Sequence, residues 1–353
     1  MKIALLFDGM SALGKGSDLL ILETVEAIEK SLVTDGNEVV RVPVTLDGRW
    51  IERVRRGKFD LAFNLCECID GIAAYEPAVI SVLEVLSVPY TGSSSWTTAF
   101  CLRKHVVNAL LERSGLPVPR WAVVTPGSTL PTVGFPAICK PAAEDASVGV
   151  EQRSVVRNMR ALAARVDAMH ERWNEILVQR FIDGREVNVG IVDGQVLPVS
   201  EIRFDSMPKG MWRIVSYRSK WELGSDEDLG ASPVCPAEIS APLAAELKRL
   251  ALDAWKAVGG EGYGRVDIRI DSQGRPWILE VNANPDIAPD AGLARMACAA
   301  GMDYPALISA VCEAGARRQR QLEENRWALS ARLSGVVLPS DPAALELFAA
   351  GVQ

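Results

Sequence analysis

Histidine is almost missing from this chain. Only His105 and His170 occur in 353 residues, both within expected helices, and neither is assigned a catalytic role. Cysteine is scattered. Of seven, only Cys66 and Cys68 stand close together, with no companion pair or nearby His to complete a zinc site. Reduced thiols in a cytoplasmic protein fit that distribution. No apolar run reaches the roughly 18 residues that a membrane-spanning helix needs. Basic excess is also lacking: the net charge of −7 argues against a nucleic-acid partner. The opening residues, Met1 to Asp8, carry too short an apolar run for a signal peptide and read as a first strand.

What is present is enough chain for two or three domains with a sizeable core. From Met1 to about Leu102, strands at Ile3–Phe7, Glu38–Val42 and Leu61–Asn64 alternate with helices near Leu19–Leu32 and Pro77–Leu86. That rhythm predicts a parallel sheet flanked by helices. A helix over Leu102–Ser114 is stopped by Gly115-Leu116-Pro117. Residues 120 to 185 suggest a small α+β unit with a helix at Val155–Arg172, and a strand-rich unit with a helix at Ala241–Val258 follows. Between them Trp212–Cys235, rich in Gly, Ser and Asp, is long for a plain connection and reads as a mobile lid. The expected limits are 1–102, 103–185 and 186–316, with a helical tail over 317–353 that has no functional account.

The most informative stretch is Gly264 to Pro285. Arg265, Asp267 and Arg269 alternate with Val266, Ile268 and Ile270, the period of a strand with one buried face. Asp271-Ser272-Gln273-Gly274 supplies a turn, and Trp277 to Asn282 alternates again. On paired antiparallel strands, Asp267, Glu280 and Asn282 can share a face. Two carboxylates and a carboxamide make an all-oxygen set that suits Mg²⁺ rather than Zn²⁺. Arg265 on that face suggests that an anion such as phosphate is handled there. Arg-x-Asp alone would read as a charged outer face, but Glu-x-Asn on an otherwise apolar strand shifts the balance.

These residues resemble the metal-binding end of the ATP-grasp superfamily, and within it the D-alanine–D-alanine ligase family. The likeness extends, in order, over residues of about 60 to 315. Tyr90-Thr91-Gly92-Ser93 followed by Lys104 resembles that family's first phosphate-reaching lysine, and Gly115 to Pro119 its linker. Phe135 to Pro141 resembles the strand whose lysine, here Lys140, contacts phosphate. Glu144 to Val150 resembles the loop over the phosphates. Gln179-Arg180-Phe181-Ile182, continuing to Glu186, resembles the adenine hinge and the acid that binds ribose. The resemblance implies a three-domain ATP-grasp fold: an N-terminal parallel α/β domain, with ATP held between two α+β domains. It implies ATP and a pair of Mg²⁺ ions on Asp267, Glu280 and Asn282, with Mn²⁺ able to substitute, and a homodimer built through the first domain. Lys220 in the lid would close on the phosphates, and Ser147 and Arg265 would act in catalysis.

Read without the resemblance, several of these residues keep plain alternatives. Lys140 could be a snorkelling edge lysine, Glu186 a solvated strand glutamate, and the Ser147–Gly149 loop only a weak phosphate nest. The implied chemistry is attack of a carboxylate on the γ-phosphorus of ATP, then attack of an amine on the acyl phosphate, with Arg265 at the oxyanion.

Departures from the family pattern point to a changed substrate. The first loop, Asp8 to Lys15, lacks the family's amine-binding glutamate, and Lys15 and Asp18 carry other charges. Ala146-Ser147 replaces a pair of serines and Trp221 replaces a tyrosine, so the substrate-orienting hydrogen-bonded set is expected to be broken. After Asn282 the chain reads Asn284-Pro285-Asp286-Ile287-Ala288-Pro289-Asp290, where the family has a Pro-Gly turn and a serine. Asp286 and Asp290 would repel a carboxylate and favour an amine-rich or uncharged nucleophile. Either could instead cap a helix starting near Ala291. The leading expectation is therefore an ATP-dependent carboxylate–amine ligase acting on something other than two D-alanines. The alternatives are D-alanine–D-alanine ligation itself, or an ATP-binding regulatory module without ligation.

Overall fold

The computed structural model describes residues 1–10 and 18–333. Lys15 and residues 334–353 of the expected tail lie outside the described residues. Three sheets organise the chain. In the first, β1 (Lys2–Asp8) lies between β2 (Glu38–Val44) and β3 (Leu61–Asn64), all parallel. Both faces of β1 are buried, which is why its sequence is a continuous apolar run. Ile3, Leu5 and Phe7 pack with Val25, Ile28 and Leu32 of α1 (Asp18–Thr34). Ala4 and Leu6 pack with Trp50 and Val54 of α2 (Arg49–Gly57) and Val79, Ile80 and Leu83 of α3 (Glu76–Val85).

Two helices, α4 (Ser95–Cys101) and α5 (Lys104–Arg113), lead into the second sheet. It is antiparallel, in the order β4 (Trp121–Val124), β7 (Ile176–Arg180), β5 (Ala137–Pro141), β6 (Val155–Val156). The helix expected from Val155 begins only at Met159, as α6 (Met159–His170). Val155 and Val156 pair with Ile138 and Ala137 instead, and Asn158 caps the helix by accepting the Ala161 N–H at 2.9 Å. A β-branched pair followed by a capping residue favours a strand end over a first helical turn.

The third sheet runs β11 (Ser232–Val234), β10 (Ser200–Arg203), β8 (Gly184–Val192), β12 (Tyr263–Asp271), β13 (Pro276–Asn282), with β9 (Gln195–Val196) paired to β8. The helix α9 (Ala241–Ala257) buries Leu247, Ala251, Ala254 and Trp255 against it. The expected lid stretch holds two short helices, α7 (Tyr217–Trp221) and α8 (Asp226–Leu229), capped by Ser216 and Ser225, before β11. Two further helices close the fold, α10 (Gly292–Ala299) and α11 (Tyr304–Leu333). The limit expected at residue 316 falls inside the uninterrupted α11. Leu307, Ile308 and Val311 of that helix return to the core beneath β1 and β3.

Candidate active site

The ribbon β12–β13 carries the site. Its register sets Asp267 opposite Glu280 and Arg265 opposite Asn282, with an irregularity just after Asp267. Asp267 accepts from Arg265 Nε at 2.7 Å and Arg265 Nη2 at 3.0 Å, and from Asn188 Nδ2 of β8 at 2.7 Å. Burial works against the Arg265 charge, but Asp267 outweighs it and raises the guanidinium's pKa. Asn282 Oδ1 accepts the Asn284 N–H at 2.9 Å. Glu280 lies 3.3 Å from Lys104 Nζ. Burial disfavours its charge, yet Lys104 and Lys140 hold its pKa below the usual range.

Lys104 opens α5 and is buried. Its Nζ meets Asp145 Oδ1 at 3.0 Å and donates to the Glu144 carbonyl. Burial lowers its pKa, but Asp145 and Glu280 together carry it well above the ordinary value. Asp145 moves up, through burial and then the Glu280 charge. Lys140, on β5, is buried as well and makes no ion pair among the described residues. Burial, reinforced by Lys104, lowers its pKa to about 8.

The loop over this pair is clasped to α7. Ser147 Oγ donates to the Val215 carbonyl at 3.1 Å, Tyr217 N to the Val150 carbonyl at 2.9 Å, and Trp221 Nε1 to the Ala146 carbonyl at 3.1 Å. Ala146 and Ser147 both have positive φ, 54° and 60°, a costly conformation for non-glycine residues. Trp221 thus reaches a backbone oxygen where Ala146 offers no hydroxyl. Lys220, beside it, is exposed, and its charge acts on Glu280 and Glu67.

The expected adenine and ribose residues lie along β7 and β8. Gln179 is buried with its Nε2 unpartnered among the described residues, and Arg180 is exposed. The amides of Arg180 and Phe181 already donate to the Arg120 and Pro136 carbonyls, at 2.7 and 2.9 Å. Arg269 ties this hinge together: it donates to the Ile182 carbonyl at 2.8 Å and to Glu186 Oε2 at 2.7 Å, and lies 4.8 Å from the Phe181 ring centre. Glu186 is thus held through one oxygen. Glu144 accepts Trp173 Nε1 at 3.0 Å.

Neither aspartate after Asn282 caps a helix. Ala291 is the N-cap of α10, with no side-chain cap bond. Asp286 accepts the Ala288 N–H at 2.8 Å, while Asp290 offers only its carbonyl, to Arg295. Both are exposed. Sequence reasoning missed Glu67, three residues beyond β3. It stands exposed along the cleft, yet crowding by the surrounding protein and the charges of Asp286 and Asp145 push its carboxyl up to about 7. An acid just past the C-terminal end of a parallel strand was the signal available, since ligands gather there.

The family model described as D-ala D-ala ligase C-terminus matches residues 110–313. The D-alanine–D-alanine ligase of Citrifermentans bemidjiense is 31% identical over 89% of this chain and 95% of its own. The chain belongs to the D-alanine–D-alanine ligase family. It is an ATP-grasp enzyme, an ATP-dependent C–N ligase that releases ADP and phosphate. The ligase of Hydrogenovibrio crunogenus is 29% identical over 87% of this chain and 92% of its own. A crystal structure of the Bacillus anthracis D-alanine–D-alanine ligase complexed with ATP superposes with a TM-score of 0.74, at 23% identity, over 91% of this chain and 99% of that one. That likeness confirms the three-part ATP-grasp fold.

Members of this family work with ATP and Mg²⁺. Among the described residues no three of His, Cys, Asp and Glu gather into a ready-made metal cage. The ribbon nevertheless fits a hard cation: its donors are all oxygen, and Arg265 and Lys104 now neutralise the two carboxylates. No helix among the described residues is long and apolar enough to cross a membrane.

Proposed function

We propose that this chain joins two D-alanines at the expense of ATP, the reaction its relatives' names describe. The observation that carries the ATP site is Lys140. It is a buried cation without a carboxylate partner among the described residues, beside Lys104 and facing the ribbon. A phosphate oxygen would restore the charge balance that burial withholds. In this reading Lys104, Lys140 and Lys220 bind phosphate oxygens, Glu144 and the Ala146–Ser147 loop cover them, and Gln179 to Ile182 with Glu186 receive adenine and ribose. Asp267, Glu280 and Asn282 would hold Mg²⁺, which when bound neutralises the phosphates, and Mn²⁺ is expected to substitute.

The first substrate's carboxylate attacks the γ-phosphorus, ADP departs, and an acyl phosphate remains. The second substrate's amine attacks that carbonyl, Arg265 donates to the oxyanion, and phosphate leaves. Glu67, poised near neutrality, is suited to take the proton that the attacking ammonium must lose. The clasp of Ser147 and Trp221 on the lid keeps water from the acyl phosphate. We further propose the unit limits 1–102, 103–185 and 186–316, and a homodimer through the first unit, which sedimentation would test.

A second reading keeps the chemistry and changes the nucleophile. Asp286 lies exposed beside Glu67 where the family pattern has glycine, and it would favour an amine carrying additional positive charge. Competition between D-alanine and other amines, read by product mass, separates the two. Exclusive D-alanyl-D-alanine supports the first, and a mixed or different product supports the second.

A further inference from the structure

One side chain joins the cation end of the ribbon to the first unit. Asn284 donates its backbone N–H to Asn282 Oδ1 at 2.9 Å. Its Nδ2 donates to the Cys66 carbonyl at 3.2 Å and to Glu76 Oε1 at 3.0 Å. Its Oδ1 accepts from Tyr263 OH at 2.7 Å. The carboxamide is thus satisfied at both ends by partners from distant parts of the chain. Glu76, the first residue of α3, is only 4% exposed. Burial and the Asp145 charge push its carboxyl well above the usual range, against the opposing bond from Asn284. A neutral acid still offers its carbonyl oxygen to Nδ2, so the contact does not depend on charge.

We propose that Asn284 is a positioning residue for the cation site, and that Glu76 of the first unit holds it there. The inference rests on reading Asn282 as a Mg²⁺ ligand. The Asn284 N–H takes one lone pair of Asn282 Oδ1 and fixes the rotation of that carboxamide, leaving the other lone pair for a cation. The N–H is itself held in place by the three bonds of its own side chain. Two of those bonds run to the first unit. Packing of the first unit on the ribbon therefore sets the orientation of a ligand carried by the third.

The test uses the full chain in five forms: wild type, Asn284→Ala, Glu76→Ala, Glu76→Gln and, as reference, Asn282→Ala. Two quantities are measured, the free Mg²⁺ giving half-maximal ADP release at saturating ATP, and Mn²⁺ affinity in the presence of ADP by electron paramagnetic resonance. Partners that orient a ligand typically change metal affinity by about 10–100-fold when removed. Asn284→Ala and Glu76→Ala should each weaken Mn²⁺ binding by about tenfold or more and raise the Mg²⁺ requirement in parallel. Glu76→Gln, which keeps the acceptor oxygen, should stay close to wild type.

A merely structural role would lower the melting temperature without moving the Mn²⁺ affinity of the folded protein, and that result overturns the inference. Loss in Asn282→Ala but not in Asn284→Ala overturns it while sparing the ligand reading. No loss in Asn282→Ala removes the ligand reading itself. If Asn284→Ala fails to fold, the Glu76 pair decides: equal weakening by Gln and Ala overturns the inference, and weakening by Ala alone supports it.

Discussion

Lys140 brings a positive charge to a buried strand end where, among the described residues, it makes no ion pair. Its lowered pKa means that the folded state holds this proton less tightly than the unfolded chain does. The unfolded state therefore binds more protons between pH 8 and the ordinary lysine value, and this residue's contribution makes stability rise with pH across that window. Lys140→Met should raise the melting temperature at pH 7 by about 2 °C or more while ATP turnover collapses. Differential scanning calorimetry beside an ADP-release assay checks both; a lower melting temperature would show that the lysine is not an unpaired burden. With Lys140 on a phosphate oxygen, as proposed, the same group would give ATP binding a pH dependence. Phosphate favours the charged form, so KM for ATP should be flat below pH 8 and rise above it, by up to about tenfold per pH unit. A KM unchanged up to pH 9.5 would contradict the assignment.

At the scale of elements, the ribbon and the clasp do different work. The ribbon fixes oxygen donors on a rigid pair of strands, and Asp267 is the donor held by most partners. Asp267→Asn should reduce ATP turnover by about a thousandfold, roughly 4 kcal/mol of lost charge stabilisation, with unchanged circular dichroism. Near-normal turnover would remove Asp267 from the cation site. In the proposed reaction the clasp serves instead to shield the intermediate. Trp221→Phe deletes one indole N–H, a bond worth about 1 kcal/mol, and should lower peptide formation roughly fivefold. ADP release should then exceed product, because water gains access to the acyl phosphate. Equal stoichiometry in that variant would assign the clasp no sealing role.

These elements also mark how far the sequence could be read. Arg265 with Asp267, and Glu280 with Asn282, were legible as face-sharing pairs because strand periodicity alone fixes which side a residue takes. Helix α9 and the parallel strands were legible for the same kind of reason. The start of α6 was not, because Val155 and Val156 were claimed by pairing with β5, a contact no local pattern records. Glu67, Glu76, Asn188 and Asn284 stayed out of the expected site because each acts across a long separation, from another strand or another unit. The bond from Trp221 to the Ala146 backbone carbonyl was not legible either, because residue type records side-chain partners and not backbone ones.

For the whole molecule, the first and third sheets share one apolar core, in which Ile3, Leu5 and Phe7 lie with Val192, Tyr263, Leu293 and Met296, while polar contacts line the cleft beside it. Lys104 binds Glu280 and Asp145, Asn284 binds Cys66 and Glu76, and Trp221 binds Ala146. Arg318 of α11 adds a tie outside the cleft, donating to the carbonyls of Gly92 and Tyr90 and lying 3.9 Å from the Tyr90 ring centre. The continuous apolar core holds the first and third units together as one body, and the polar contacts lie where a substrate would enter. ATP analogue with Mg²⁺ should therefore stabilise the assembly as a single cooperative unit. The measurement that bears most directly on the account is release of ADP and phosphate with Mg²⁺-ATP and D-alanine, with the product identified by mass. The account predicts D-alanyl-D-alanine, with one ADP and one phosphate released for each bond formed. D-alanine that yields ADP without a condensed product, or that yields nothing while another amine is joined, would contradict it.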